Sequence, residues 1–404
     1  MKSILYWFNQ NKQMTLKEVL FFFFFTVMSI AKAWGLNSGD SMYYIFSSVA
    51  FFVWILIMIY SYGRNVFRIK EIKNSWIELA TIICLLVISL IMYLTSRKLG
   101  PILFFLVIIA VKEIDIDRVL KLCSMFWIFT FVIKVTLSLC GIIPTVYTHK
   151  DNAIYGVREV SGLGYPHPNN AYLVFAISVF FIYYLNNILS KLFSLIVIIL
   201  NFILYFACYS VTGFTIVVVA ILGFEIINRK KNTLEHIVSR LGTARIFSIA
   251  YLFPMLISIL SPLLFCINDD GIKRILNKLS TGRIEYSHEY MTNYPITLWG
   301  QIFDERTVAP IIDNAFVYIL LQYGIIYFAF FTIGYYLVVK SCIENKNIKR
   351  LFICILFLYY GLFEQFIQNP FINFTLLFVG EAFWQVFDKY IVKRKNRNEH
   401  INST

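Results

Sequence analysis

Two stretches of the chain hold residue types suited to chemistry. Between about residues 268 and 311 stand Arg283, Glu285, His288 and Arg306, and Asp313-Asn314 follow where an apolar run resumes. Between about 142 and 170 stand Arg158, His167 and Asn169. Carboxylates and imidazoles exchange protons, and both stretches carry them. An arginine never loses its charge, and its planar fork makes paired hydrogen bonds to phosphate oxygens. Each of Arg158, Arg283 and Arg306 therefore reads equally as an anion ligand or as half of a loop salt bridge. His288 with Glu289 also fits a solvated helix face, and His167, between two prolines, fits a loop cap. Lys134 and Glu364 fall within apolar runs, where a charge marks function by default. Lys134 lies deep enough to approach a bound anion or to pair with Glu364. Glu364, Gln365, Gln368 and Asn369 form a polar cluster that either lines a groove or ends a helix. No Cys-x-x-Cys or His-x-x-x-His occurs, and the seven cysteines sit in or beside apolar runs, so no metal is expected.

The elements that must position these residues are hydrophobic helices. Of 404 residues, 59% are hydrophobic and only 15% charged, with a mean hydropathy of +0.71. That balance excludes a water-soluble enzyme, a disordered chain and a nucleic-acid reader, and predicts an all-α polytopic membrane protein whose partner is the lipid bilayer. A hydrocarbon core of about 30 Å needs roughly 20 apolar residues per helix. On that template the spans fall near 18–34, 42–62, 77–95, 99–112, 119–141, 169–187, 190–208, 211–228, 246–267, 312–340, 350–368 and 371–390, about 12 helices in a single integral domain over 1–404. No internal repeat is visible. A large loop, 268–311, separates spans 9 and 10, and a second runs over 142–170.

The net charge of +13 is mostly a topology signal. With the amino terminus inside, 25 of the 36 basic residues fall on the cytoplasmic side and nine outside. Both termini are then cytoplasmic, and the two long loops are external. Residues 1–17 form an interfacial segment, and 391–404 a basic cytoplasmic tail. The leader and Val19–Ile30 have the look of a signal peptide, but the leader is long and Lys32 spoils the cleavage region. Within 268–311, Asn268-Asp269-Asp270 caps a helix whose Ile272, Ile275, Leu276 and Leu279 recur at helical spacing, with Lys273, Arg274 and Lys278 on other faces. It reads as a helix lying on the membrane surface, ended by Thr281-Gly282. Nine external basic residues face ten acids, so anion binding must come from individually placed arginines.

The segment Gly162-Leu163-Gly164-Tyr165-Pro166-His167-Pro168-Asn169-Asn170 resembles the Gly-rich His-Pro-Asn motif of Wzy-type polysaccharide polymerases. Thr281-Gly282-Arg283, followed by Trp299-Gly300, is similar to the same family. Asp313-Asn314, nine residues and Gly324-Ile325-Ile326-Tyr327 resemble the signature of the related O-antigen ligases, with Asp where those have His. The resemblance implies a glycosyltransferase C-like fold and a metal-independent, cofactor-free reaction at an extracytoplasmic site of a bacterial cytoplasmic membrane. A glycan would pass from undecaprenyl diphosphate to a lipid-linked oligosaccharide repeat unit, building a capsular polysaccharide or O-antigen. Chain-length regulator and flippase proteins would be its protein partners. On this basis Arg283, then Arg158, would clamp the diphosphate, and Asp313 would be the base, with Glu285, His288 and His167 as rivals. Asn169, Arg306, Asn314, Lys134 and Glu364 complete the candidate set.

A transporter or flippase of lipid-linked oligosaccharide is the alternative, although it would show short loops, paired halves and charges at mid-membrane. A membrane acyltransferase would need a catalytic His, and His149, His167 and His288 offer no clear choice.

Overall fold

Backbone N–H and C=O groups in hydrocarbon must be satisfied within their own segment, so the apolar runs form helices. The computed structural model describes residues 14–37, 39–66, 72–152, 156–186, 190–240, 246, 249–264, 271, 277, 280, 282–303 and 312–402. The elements in order are α1 (Leu16–Ala33), α2 (Ser41–Val66), α3 (Ile72–Ser96), α4 (Gly100–Ala110), α5 (Ile116–Leu139), β1 (Tyr147–Asn152) and β2 (Gly156–Ser161). Then come α6 (Pro168–Leu185), α7 (Lys191–Cys208), α8 (Val211–Arg229), α9 (Lys231–Ser239), α10 (Leu252–Leu264) and α11 (Arg283–Asn293). The chain ends with α12 (Ala315–Glu344), α13 (Ile348–Tyr360) and α14 (Thr375–Asn402).

Short polar residues start many of these helices. Thr15 and Glu18 form a reciprocal capping box at α1, and Asp115, Ser190, Ser210, Asn314 and Asn347 each accept an orphan backbone N–H. Phe21, Phe24, Phe25 and Met28 recur at helical spacing along α1 and are fully buried. The indoles of Trp54, Trp127 and Trp384 donate to the helix carbonyls of Leu106, Val174 and Ile108. A buried Trp N–H without such a partner would be costly in an apolar interior. At the end of the bundle away from the two long loops, Lys112 pairs with Glu78 at 2.7 Å and Arg350 with Glu381 at 2.5 Å.

Among the described residues, seven helices are long and apolar enough to cross a membrane: most of α2 and α3, then α5, α6, α7, α8 and α12. Each of the twelve anticipated spans meets a helix, but not each meets one of that length. α4 has 11 residues and α13 has 13, so at 1.5 Å per residue they reach about 16–20 Å. Between Tyr360 and Thr375 the eleventh span is a loop instead of a helix. Part of the ninth lies outside the described residues, and so do Ile272, Ile275, Leu276 and Leu279 of the anticipated surface helix. The segment from 391 onward, anticipated as a tail, continues α14 to Asn402.

The architecture is all-α as expected, apart from one two-stranded sheet. The 142–170 loop folds as an antiparallel hairpin, with Tyr147 opposite Ser161 and Lys150 opposite Arg158. Tyr147-Thr148-His149-Lys150-Asp151-Asn152 is almost wholly polar, so no hydrophobic alternation marks it as a strand.

The first turns of α12 are not regular. Ile319–Tyr323 is a π-helical turn, and Gly324 follows at φ +85°. The loop 297–301 fills the resulting break. Ile325 and Ile326 N–H donate to the Thr297 and Leu298 carbonyls, and Gln322 Nε2 donates to the Ser96 and Gln301 carbonyls. Gly300, at φ +86°, lies so close that a Cβ there would stand 2.3 Å from the Gln322 carbonyl oxygen. A Cβ on Gly324 would stand 2.3 Å from the Gly300 nitrogen. Gly300→Ala and Gly324→Ala are each expected to lower the Tm of the detergent-solubilised protein, at a cost on the order of 1–3 kcal/mol. The pair should be less than additive, because both strain one backbone contact. Unchanged melting in either single variant would contradict this role.

Candidate functional site

Four separate pieces of chain meet at the end of the bundle that carries the two long loops. Gly282, at φ +81°, turns the chain into α11, whose first residue is Arg283. Asp313 stands just before the Asn314 cap of α12, and Glu364 lies in the loop after α13. Asn169 occupies the first turn of α6, behind the cap residue His167. Arg283 Nη2 lies 3.2 Å from Asp313 Oδ2 and 3.8 Å from Glu364 Oε1. Asn169 Nδ2 donates to the same Glu364 oxygen at 3.4 Å. One guanidinium therefore stands between two carboxyls contributed by different segments.

Their electrostatics follow from this crowding. Burial, with Asp313 close by, pushes the Glu364 carboxyl up to about 8 against the pull of Arg283 and Lys150. Burial also raises Asp313, and Arg283 and Lys150 oppose it. Two adjacent carboxyls, both raised by burial and both drawn down by the same cations, can exchange protons with a bound group. Burial, then Lys150, lowers the His167 imidazole. Its Nδ1 accepts from the Asn169 N–H at 3.2 Å, so His167 performs the loop-cap role.

Asp313 and Glu364 open on a cavity of about 680 Å³. Its walls carry the carboxamides of Asn37, Asn169, Asn170, Gln365, Gln368 and Asn369. Tyr43, Tyr286, Tyr318, Tyr323 and Phe366 add aromatic faces, and Lys32 and Lys98 add positive charge. Carboxamides pair with hydroxyl groups both as donors and as acceptors, while flat rings offer apolar faces.

The other candidates lie elsewhere. Glu285 is exposed and accepts from Asn277 Nδ2 at 2.6 Å. The His288 ring bonds the Pro262 carbonyl at 2.8 Å. Arg158 donates to the Phe206 carbonyl at 2.9 Å, beside that ring. Lys134 does not meet Glu364: its ammonium donates to the Trp34 carbonyl and lies 4.3 Å from the centre of the Tyr165 ring. Asn314 is buried, where it caps α12 and bonds Ser258. Arg306 lies outside the described residues. Lys150 was missed as a site residue, since a lone lysine in a polar loop carries no motif. Among the described residues, no group of three His, Cys, Asp or Glu could hold a metal ion.

The fold and this site define a predominantly helical membrane protein with a polar, charged cavity at one end of its bundle. Comparison with known protein families, curated proteins and solved structures yields no match.

A raised carboxyl pKa stabilises the folded state fully below the ordinary carboxylate range, and that contribution is lost as pH rises through about 8. Wild-type Tm is therefore expected to fall between about pH 5 and about pH 8. Glu364→Gln, neutral at every pH, should flatten that slope. An equal slope in the two proteins, followed by scanning fluorimetry, would rule out Glu364 as its source.

Proposed function

We propose that the protein is a polyprenyl-diphosphate-dependent glycosyltransferase. It polymerises lipid-linked oligosaccharide repeat units on the outer face of a bacterial cytoplasmic membrane, as in capsule or O-antigen synthesis. Twelve membrane crossings, cytoplasmic termini and an extracytoplasmic site belong to this reading. The observation that carries it is the Arg283–Asp313–Glu364 cluster opening on a cavity lined by carboxamides and aromatic rings. Arg283 and Asp313 also stand in the motifs that resemble Wzy-type polymerases.

In this mechanism an acceptor sugar hydroxyl attacks the anomeric carbon of the donor glycan. The bond from that carbon to the diphosphate oxygen breaks, and undecaprenyl diphosphate leaves as the anion. The hydroxyl proton passes to Asp313, which Arg283, 3.2 Å away, helps to keep ionised. The charge that develops on the leaving group is offset by Arg283, with Lys32 and Lys98 adding positive charge on the cavity wall. Polar walls hold the sugars, and the two lipid tails stay in the surrounding bilayer.

A gel of lipid-linked and surface glycan from a deletion strain tests the reading. Single repeat units should accumulate outside in the deletion, and the wild-type gene should restore the ladder. Arg283→Ala and Asp313→Ala, expressed at wild-type levels, should each lose the ladder through a rate drop of about 10²–10³-fold. Single units trapped on the inner leaflet would sink this reading and point to a flippase.

A further inference from the structure

The hairpin reaches the carboxyl pair through a chain of polar side chains. Lys150 Nζ donates to Asn169 Oδ1 at 2.8 Å, and Asn169 Nδ2 donates to Glu364 Oε1 at 3.4 Å. An ammonium can only donate, so the Asn169 amide must turn its oxygen to Lys150 and its NH2 to Glu364. Lys150 is itself anchored, because it also donates to the Cys208 and Tyr209 carbonyls, at 3.2 and 3.1 Å, where α7 ends. Tyr209 closes that helix at φ +48°, leaving its last carbonyls to be met by such a side chain.

We infer that Lys150 is a positioning residue for this site: through Asn169 it fixes the amide orientation that donates to Glu364, and so favours the ionised carboxylate. The inference rests on the reading of Glu364 and Asp313 as a proton-exchanging pair. Its direction follows from donor and acceptor logic. With Lys150 gone, the Asn169 amide is able to turn over, and its oxygen then accepts the proton of neutral Glu364. A nearby positive charge is lost at the same time. Both changes hold the proton more tightly. Other groups facing Glu364 are Arg283 from α11, Asp313 from the segment before α12, and Tyr360 from α13. His167, at the start of α6, and Lys32 and Lys98 share the cavity wall with Glu364. All of these remain in a Lys150 variant. Lys150 already draws Glu364 downward against its burial, which agrees with the sign.

The test is an infrared titration of the full chain in lipid nanodiscs, with no substrate present. The protonated-carboxyl stretch of Glu364 is assigned by its loss in Glu364→Gln, and that of Asp313 by its loss in Asp313→Asn. The wild-type Glu364 midpoint is expected near pH 8. Lys150→Met should raise it by about one pH unit, and Lys150→Arg should return it to the wild-type value. Asn169→Leu, which keeps the lysine but breaks the relay, should also raise it, by less. A wild-type midpoint in folded Lys150→Met, or an equal shift in Lys150→Met and Lys150→Arg, would overturn the inference. If Lys150→Met does not fold, Asn169→Leu decides, a raised midpoint supporting and an unmoved one overturning it. Because no sugar takes part, an unmoved midpoint leaves glycan transfer standing, and a failed ladder assay leaves the titration result standing.

Discussion

The Arg283 guanidinium between Asp313 and Glu364 is the interaction around which the loop-bearing end of the bundle is arranged. Two carboxyls brought together in a buried, low-dielectric place cannot both ionise without a cation. One arginine between them offsets the charge of whichever carboxyl ionises. That arrangement demands three chain reversals at one place. Gly282 must turn the chain so that α11 begins with Arg283, Asn314 must cap α12 directly behind Asp313, and α13 must stop at Tyr360 so that Glu364 falls in a loop. A shift of one residue in any of them would turn a charged side chain toward apolar surroundings.

The same economy governs the backbone. Where α12 breaks at Gly324, the freed N–H groups of Ile325 and Ile326 are taken up by loop 297–301, and the Gln322 side chain ties that loop to the end of α3. An irregular helix start of this kind survives beside hydrocarbon only if another part of the protein supplies the missing partners. Gly300 and Gly324, which stand in the motif-like segments of the sequence, serve here to let two backbones touch. Their place in those segments is accounted for by packing, whereas from the same segments Asp313 lines the cavity and Arg283 pairs with it.

The hairpin extends this organisation to the 142–170 loop. It carries Lys150 to the end of α7 and to Asn169, so that the loop is fastened to two helices and to the site by one ammonium group. Arg158, the more conspicuous cation in that loop, instead anchors the hairpin to the Phe206 carbonyl. Directly opposed across the hairpin, the two cations share one face, and their places on separate strands send Lys150 to Asn169 and the end of α7 and Arg158 to the Phe206 carbonyl.

The helices were legible in the amino-acid sequence, since apolar runs near membrane length have no other way to satisfy their backbone. The sequence also marked Arg283, Asp313, Glu364 and Asn169 one at a time, Arg283 within the long loop and the other three at the ends of apolar segments. Periodicity encodes which face of an element is polar, but it holds no measure of the distance between elements. It took the packed chain to bring these four together, to turn Lys134 to the Trp34 carbonyl, and to take Glu285 and His288 to Asn277 and Pro262. Lys150 entered the site for the same reason. A side chain long enough to span several ångströms takes its partner from whichever elements pack beside it, and that packing is a property of the whole chain.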